Sequence, residues 1–150
     1  VIAPEKKLNH LSLEQMQQVF TINTFGPALV LKHFQGLLSK DKSFLVCISA
    51  KVGSIEDNRL GGWYSYRASK AALNMLIKTA SIELRRTHPQ CTLVAMHPGT
   101  VKSPLSRPFS GDKLGQDPMM AAKKMVAALG QVPTDRSCIF LSYDGSELPW

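Results

Sequence analysis

Long apolar runs and paired cysteines are both missing from this sequence of 150 residues. No stretch of about eighteen apolar residues occurs, which argues against a membrane-spanning helix. The first residues lack the basic region, apolar stretch and cleavage pattern of a secretory signal, so we expect a cytoplasmic protein. Cys47, Cys91 and Cys138 are an odd number without metal-ligand spacing. We therefore expect reduced core cysteines and no metal site.

Acidic residues are also in short supply. The sequence has 18 Lys and Arg residues and 11 Asp and Glu residues, which gives a formal net charge of +7. Such an excess can indicate a phosphate-bearing partner. Here the basic residues are dispersed and no recognised nucleic-acid-binding motif is present, so we expect a solvated surface and no nucleic-acid partner. A hydrophobic content of 44% predicts a packed core.

Apolar segments typical of buried strands alternate with helical patterns along the chain. The expected order is helix, strand, helix, strand, helix, strand, with strands over residues 44–48, 91–96 and 138–141. This alternation predicts an α/β fold with a parallel sheet and crossover helices. The run over residues 44–48 is continuously apolar, so we expect it to be a central strand covered on both faces.

Local sequence patterns indicate where the helices begin and end. Ser12 can cap a helix that reaches about residue 38, with Gln15 placed to complete a capping box. Pro27 after Gly26 should kink that helix. Asp117 followed by Pro118 predicts the start of the last helix, and Gly130 its end.

Tyr66 and Lys70 lie four residues apart in the sequence Tyr-Arg-Ala-Ser-Lys. At this spacing on a helix, both side chains share one face. A nearby ammonium stabilises phenolate, so we expect Lys70 to lower the pKa of Tyr66. The pair predicts general acid–base chemistry on a carbonyl or an alcohol.

The segment FLVCISAKVGSIEDNRLGGWYSYRASKAAL, residues 44–73, resembles the short-chain dehydrogenase/reductase family. It is most similar to the branch with the C-factor-like and sniffer-type carbonyl reductases. The resemblance implies a Rossmann-like doubly wound parallel sheet. It covers essentially the whole chain but only the second half of the family's fold, because no Gly-x-x-x-Gly-x-Gly turn for the dinucleotide pyrophosphate occurs here. We therefore expect residues 1–150 to form a single partial domain, with Val1–Pro4 following the family's Asn-Asn-Ala-Gly motif.

The resemblance also implies roles for residues outside the tyrosine helix. Asn23, in Ile-Asn-Thr-Phe-Gly-Pro, matches an asparagine that holds a water between the active-site lysine and solvent. The stretch from Pro98 to Ser103 matches the family's Pro-Gly-x-Val-x-Thr loop, with Ser in place of the final Thr. There Pro98, Gly99 and the main chain of Val101 would clamp the nicotinamide and the Ser103 hydroxyl would bind nearby cofactor oxygen. Residues 109–116 resemble the substrate loop that follows it.

The family's catalytic serine is where this chain departs from the pattern. Ala50 occupies the usual position of that serine. Ser49 at the strand tip and Ser54 in the following loop are equally ranked substitutes, either of which would hold the substrate oxygen. Tyr64 and Trp63 are left outside the catalytic set, as residues for packing or for the substrate pocket.

These residues and the resemblance predict a carbonyl reductase or alcohol dehydrogenase, and the resemblance to sniffer-type reductases implies NADP(H) in preference to NAD(H). The resemblance implies that Tyr66 protonates the substrate oxygen and that Lys70 lowers the pKa of Tyr66 and holds the nicotinamide ribose, so that both residues are catalytic and cofactor-binding. The family's pattern of helix pairing implies a homodimer or homotetramer, and the substrate would be a small carbonyl or alcohol. The alternative hypothesis is a non-catalytic, truncated member of the family that serves as a binding or signalling module.

Overall fold

The computed structural model describes residues 3–109, 111–133 and 135–150. Its parallel strands are β1 (Ser43–Ile48), β2 (Cys91–His97) and β3 (Cys138–Ser142). Its helices are α1 (Leu13–Phe20), α2 (Gly26–Phe34), α3 (Tyr64–Leu84), α4 (Gly111–Leu114) and α5 (Pro118–Gly130). The predicted alternation of helices and strands is confirmed, whereas Val1 and Ile2 of the predicted motif-following stretch lie outside the described residues.

β2 is the middle strand of the sheet, in the order β1-β2-β3. Both pairings are parallel, with Ile48 opposite Met96 and His97 opposite Ser142, so the carboxyl ends of the strands meet at one edge. The prediction of a central strand over residues 44–48 is wrong for the described part of the chain, because β1 pairs there on one side only. A continuous apolar run indicates that both faces of a strand are covered, but it does not indicate how many of its edges are paired.

Successive side chains of β2 point to opposite faces of the sheet, and each face has its own core. Leu93 packs against Leu73 and Ile77 of α3 on one face. Val94 packs against Ala128 of α5 on the other face. Full burial of a Leu, Ile or Val side chain contributes about 1.5–3 kcal/mol to the stability of the fold. This packing fixes α3 across the sheet and brings its first turns to the carboxyl edge.

Ser12 caps α1 as predicted, because its hydroxyl accepts a hydrogen bond from the Gln15 main-chain N–H at 3.2 Å. The second half of the predicted capping box is wrong. The Gln15 side-chain amide donates instead to the carbonyl of Ala3 at 3.0 Å. A long-range partner has replaced the local one, and this contact ties the start of the chain to α1.

A π-helical turn over Thr21–Phe25 joins α1 to α2 at the place where a proline kink was predicted. The Gly26 N–H donates to the carbonyl of Thr21, five residues back. Pro27 has no N–H to donate to the carbonyl of Asn23, so a wider turn before it accommodates the missing bond. The helix continues through α2 and ends in a 3-10 turn over Gln35–Leu37.

The C-terminal residues fold back along β3. The Leu148 N–H donates to the carbonyl of Phe140 at 2.8 Å, and the ring of Trp150 lies 5.6 Å from that of Phe140. All three cysteines are free and buried, as expected. Over the described ranges, no helix is both long and apolar enough to cross a bilayer, and no His, Cys, Asp and Glu side chains gather as a metal-binding group.

Candidate active site

Tyr66 and Lys70 lie one turn apart near the start of α3, as their spacing predicts. The Lys70 ammonium nitrogen, Nζ, donates a hydrogen bond to the main-chain carbonyl of Ile48 at 2.9 Å. The same Nζ lies 6.0 Å from the centre of the Tyr66 ring. Because Ile48 ends β1, this bond places Lys70 at the carboxyl edge of the sheet, where open parallel sheets bind their ligands.

Burial raises the pKa of the Tyr66 phenol above its ordinary value of 10.0. Burial also lowers the pKa of Lys70, although the neighbouring Cys47 opposes that shift. The expectation that Lys70 lowers the pKa of Tyr66 is therefore wrong for this structure. The phenolate would lose its stabilising water, and the Lys70 Nζ is directed to a carbonyl 2.9 Å away. At neutral pH the phenol is protonated and can donate a proton.

Asn23 is joined to the tyrosine helix through Ser69. The Asn23 amide nitrogen donates to the Ser69 hydroxyl at 3.1 Å, and that hydroxyl donates to the carbonyl of Tyr66 at 2.8 Å. The hydroxyl of the buried Thr24 donates to the Ser69 carbonyl at 2.9 Å. The π-helical turn is thus bonded to α3 between Tyr66 and Lys70. Asn23 is therefore joined through Ser69 to the helix that carries the pair, although 46 positions separate Asn23 from Ser69.

Ser49 and Ser54 both have other partners for their hydroxyls. The buried Ser49 hydroxyl donates to Asn74 Oδ1 on α3 at 2.6 Å. The Ser54 hydroxyl donates to the carbonyl of Trp150 at 3.3 Å and accepts from the Asp57 N–H at 3.0 Å. Each serine therefore makes a structural bond, and neither bond is directed to Tyr66.

Ala50 and Gly53 bound the turn that follows β1. Ala50 is buried and immediately precedes the 3-10 turn over Lys51–Gly53. A Cβ added at Gly53 would lie 2.8 Å from the Lys70 Cβ and 2.9 Å from the Lys70 main-chain carbon. Only glycine lets the turn approach the helix this closely. The loop therefore rests directly on the backbone that carries Lys70.

The predicted cofactor loop follows β2 and is braced by Gln116. The Gln116 side chain donates to the carbonyl of Pro98 at 2.9 Å. Its main chain donates to Thr100 at 2.9 Å and accepts from Lys102 at 3.0 Å. Gly99 adopts a φ of +73°, and a Cβ there would lie 2.6 Å from the Tyr143 ring. The loop conformation thus depends on a glycine at this position.

Val101 and Ser103 lie in the second half of this loop. The hydroxyl of Ser106 donates to the Val101 carbonyl at 2.5 Å. The Ser103 hydroxyl donates to the Ser106 hydroxyl at 3.3 Å. The structure therefore brings both residues into a small bonded turn, in which the Ser103 hydroxyl already has a protein partner.

Glu5 supports the site, although sequence analysis did not single it out. Its carboxylate accepts hydrogen bonds from the Ser65 N–H, at 3.1 Å, and from the Ser65 hydroxyl. Burial alone would raise the pKa of Glu5, but these hydrogen bonds outweigh it and lower the pKa. Because Ser65 is the second residue of α3, a buried carboxylate caps the helix that carries Tyr66. The two residues are 60 positions apart, so no local pattern could have revealed the pair.

Trp63 lies beside the tyrosine and has an unusual backbone. It precedes α3 in the left-handed region, with a φ of 54°. Its ring centre lies 6.3 Å from that of Tyr66 and 4.9 Å from that of Phe109. The predicted loop over residues 109–116 contains the end of a 3-10 turn, Arg107–Phe109, and α4, while its residue Ser110 lies outside the described residues.

Comparison with known proteins shows which family this chain matches. A family model described as short chain dehydrogenase matches residues 2–113. The C-signal protein of Myxococcus xanthus is 32% identical over 149 residues, and the match covers 95% of this chain and 83% of that protein.

Two solved carbonyl reductases share the fold. The carbonyl reductase Sniffer of D. melanogaster matches with a TM-score of 0.84 at 24% identity, over 100% of this chain and 63% of that one. The NADPH-bound carbonyl reductase from chicken fatty liver matches with a TM-score of 0.74 at 32% identity, over 99% of this chain and 62% of that one. The Rossmann-like fold is thereby confirmed, and the chain spans less than two thirds of the length of either structure, 63% and 62%.

Proposed function

The chain belongs to the short-chain dehydrogenase family, and on that basis we propose that it carries the proton-transfer residues of an NAD(P)(H)-dependent oxidoreductase that interconverts a carbonyl and an alcohol. The resemblance in the sequence is confirmed, including the branch with the C-signal and Sniffer proteins. One observation carries the proposal. Lys70 is bonded to Ile48 at the carboxyl edge of a parallel sheet, one helical turn from the protonated Tyr66.

In this mechanism, bound nicotinamide supplies the hydride that reduces the carbonyl carbon. Tyr66 donates its phenolic proton to the carbonyl oxygen and takes a proton back in the reverse direction. Burial raises the pKa of Tyr66, so the phenol carries at neutral pH the proton that reduction requires. Lys70 would bind the nicotinamide ribose, and Asn23 would hold the water that links Lys70 to solvent.

The loop that begins at Pro98 fits the nicotinamide end of the cofactor. It is braced by Gln116, whose buried Oε1 has no hydrogen-bond partner among the described residues. A buried acceptor of this kind is suited to an amide donor. We propose that Pro98, Gly99 and the main chain of Val101 hold the nicotinamide, with Ser103 exchanging its bond to Ser106 for one to the cofactor.

NADP(H) is the favoured cofactor, because the chicken carbonyl reductase at 32% identity binds NADPH. NAD(H) is the alternative. The sequence contains no Gly-x-x-x-Gly-x-Gly turn. We therefore propose that this chain is the C-terminal, proton-transferring part of a longer single domain, whose upstream part holds the pyrophosphate and adenosine.

The presence of Ala50 where the family usually has its catalytic serine affects the expected rate of carbonyl reduction. Ser49 and Ser54 both have structural partners, while Ala50 occupies the family's usual serine position. We propose that the substrate oxygen is oriented mainly by Tyr66, with Ser49 or Ser54 contributing only if its present bond is released. The chemistry is then the same as in the family, at a lower rate.

A homodimer or homotetramer is also part of the proposal. Apolar side chains are exposed on the first helices and on α3, with Ile22 at 71% and Met75 at 65%. Packing of these helices against those of a second copy would cover them.

The test is a fluorescence titration with NADPH and NADH, on this chain and on a version extended upstream to a glycine-rich turn. Binding by the extended version, followed by reduction of a carbonyl panel, is the expected result. Tyr66→Phe should keep cofactor binding and lose turnover by about 10²–10⁴-fold. Absence of binding by a well-folded extended version would exclude the dehydrogenase function.

The second candidate function is a non-catalytic binding or signalling module. It is favoured by one observation, the 32% identity to C-signal over 95% of this chain. Under this alternative, the exposed apolar helices would serve partner binding, and Tyr66→Phe would leave the activity of the module unchanged.

A further inference from the structure

The backbone of Trp63 is held in a conformation that bulky residues avoid. Among the described residues, it is the one non-glycine residue with a positive φ, and it follows Gly61 and Gly62 at φ values of 63° and 64°. Its N–H donates to the carbonyl of Glu5 at 2.6 Å, which keeps it in place. Glycine would adopt this conformation without strain. A tryptophan kept there indicates a use for the indole.

The indole lies next to both the ring of the proposed proton donor, Tyr66, and a second aromatic ring, Phe109. Its plane is inclined at 68° to the ring of Tyr66 and at 55° to that of Phe109. Trp63 is half-buried and Phe109 is 37% exposed, so part of both rings remains open to a ligand. Trp150 packs differently, against the fully buried Phe140, as a core anchor does.

Phe109 is also connected to the cofactor loop. Its N–H donates to the carbonyl of Ser106 at 2.9 Å, and the Ser106 hydroxyl donates to Val101 at 2.5 Å. Trp63 is fixed to the start of the tyrosine helix and Phe109 to the loop after β2. The two rings therefore join the segments that supply the proton and hold the nicotinamide.

We propose that Trp63 and Phe109 are specificity-determining residues that stack on a planar apolar group next to the reacting carbonyl. This inference rests on the proposed function and adds a substrate class to it. Aromatic and conjugated aldehydes or ketones are preferred over saturated ones of equal size, because offset and edge-to-face contacts with aromatic rings add to simple apolar burial.

The test compares benzaldehyde with cyclohexanecarbaldehyde, which differ in planarity and little in size. The enzyme is the full-length product of the reading frame that contains this chain. Trp63→Ala should lower kcat/KM for benzaldehyde roughly tenfold, mainly through KM, and change that for cyclohexanecarbaldehyde by no more than about twofold. Trp63→Phe should keep most of the preference, since it has the same backbone strain and retains a ring.

Phe109→Ala, on a different segment, is the second variant and should reduce the same preference. Circular dichroism of each variant checks that it folds. Equal losses on both substrates in Trp63→Ala and Phe109→Ala would show a purely structural role and overturn the inference. If the wild-type enzyme turns over no carbonyl with either nicotinamide, the proposed function fails and the inference fails with it. Wild-type turnover without altered selectivity in the variants defeats the inference alone.

Discussion

The Glu5 carboxylate accepts two hydrogen bonds from Ser65, a residue 60 positions away at the start of the helix that carries Tyr66. The carbonyl of Glu5 also accepts the N–H of Trp63 at 2.6 Å. One residue near the beginning of the chain thus satisfies donors at the first turn of α3, which would otherwise be left without partners. The position of Tyr66 depends on this contact.

Glu5→Gln should lower the free energy of unfolding by about 1–3 kcal/mol at neutral pH. The amide keeps the size of the side chain, but loses its charge at the helix N-terminus and one charge-assisted hydrogen bond. Chemical denaturation measures the effect. Glu14→Gln, at an exposed site in the first turn of α1, is the matched control and should change stability by less than about 1 kcal/mol.

The contribution of Glu5 should also disappear in acid. Its folded-state pKa lies below the ordinary value of 4.5, so the stabilisation is present above pH 4.5 and is lost as the pH falls through the folded pKa. Wild-type protein and Glu5→Gln should therefore converge in stability as the pH falls below 4.5. Parallel curves down to pH 3 would contradict this assignment.

Ser49→Ala should destabilise the protein by about 1–3 kcal/mol, because Asn74 Oδ1 would be left buried without its donor. The amide nitrogen of Asn74 already has no partner among the described residues, so this bond is the side chain's main anchor. Ser54→Ala breaks the bonds to Trp150 at 3.3 Å and from the Asp57 N–H at 3.0 Å, both of which are longer and less buried, and should cost less. Thermal unfolding of the two variants ranks them, and a larger loss in Ser54→Ala would contradict the structural role of Ser49.

Ala50→Ser should raise kcat for carbonyl reduction by roughly tenfold or more, since one positioned hydrogen bond to a reacting oxygen is often worth that much. The resemblance to the family implies that Ala50 stands where the catalytic serine is usual, and the two neighbouring serines have other partners. Steady-state kinetics on the full-length enzyme measure the gain. An unchanged kcat in a folded Ala50→Ser variant would show that the reaction does not use a hydroxyl here.

The sequence predicted those features of the fold that arise from local pattern. Ser12 and Asp117 cap their helices because capping depends on residues two or three positions away. The Tyr66 and Lys70 pair was found for the same reason, since helical spacing alone places both on one face. Contacts between distant segments were missed, as in the bond from Gln15 to Ala3 and the cap of α3 by Glu5.

The predicted direction of the Tyr66 pKa shift was wrong for a related reason. Spacing shows that an ammonium is near a phenol, but the shift depends on burial and on where the ammonium points. Here the phenol is buried and Lys70 bonds to Ile48. The position of β1 at an edge of the described sheet also could not be found from its own residues, because pairing depends on the other strands.

Lys70→Met should change how stability depends on pH. Burial lowers the folded-state pKa of Lys70 below 10.5, so between these two pKa values the unfolded chain binds more protons than the folded one. The wild-type protein should therefore gain stability relative to Lys70→Met as the pH rises from 7 towards 10.5. Denaturation curves in a Tyr66→Phe background exclude the opposing titration of the phenol, whose pKa is raised.

Lys78→Met is the control for this comparison, because Lys78 is exposed on the same helix. It removes a lysine from the same helix and leaves the bond between Lys70 and Ile48 in place. If Lys70→Met follows the wild-type curve without divergence, the Lys70 ammonium is not desolvated in solution.

Gly53→Ala should destabilise the protein by about 1–3 kcal/mol. It should also lower kcat by more than the loss of folded protein accounts for. The backbone of Gly53 does not have a positive φ, so the effect is steric. The new methyl group would meet the Cβ of Lys70 at 2.8 Å and its main-chain carbon at 2.9 Å, so the turn or α3 must move. Movement at this point separates Lys70 from Ile48, to which it is bonded.

Gly130→Ala is the matched control, since an added Cβ there meets nothing within 4 Å and the residue ends α5. It should leave stability unchanged or raise it by up to about 1 kcal/mol, because alanine is the better helix former. Denaturation together with NADPH titration and kcat on the full-length enzyme separates the two glycines. If Gly53→Ala matches Gly130→Ala in both stability and kcat, the close approach of the turn to α3 does not position Lys70.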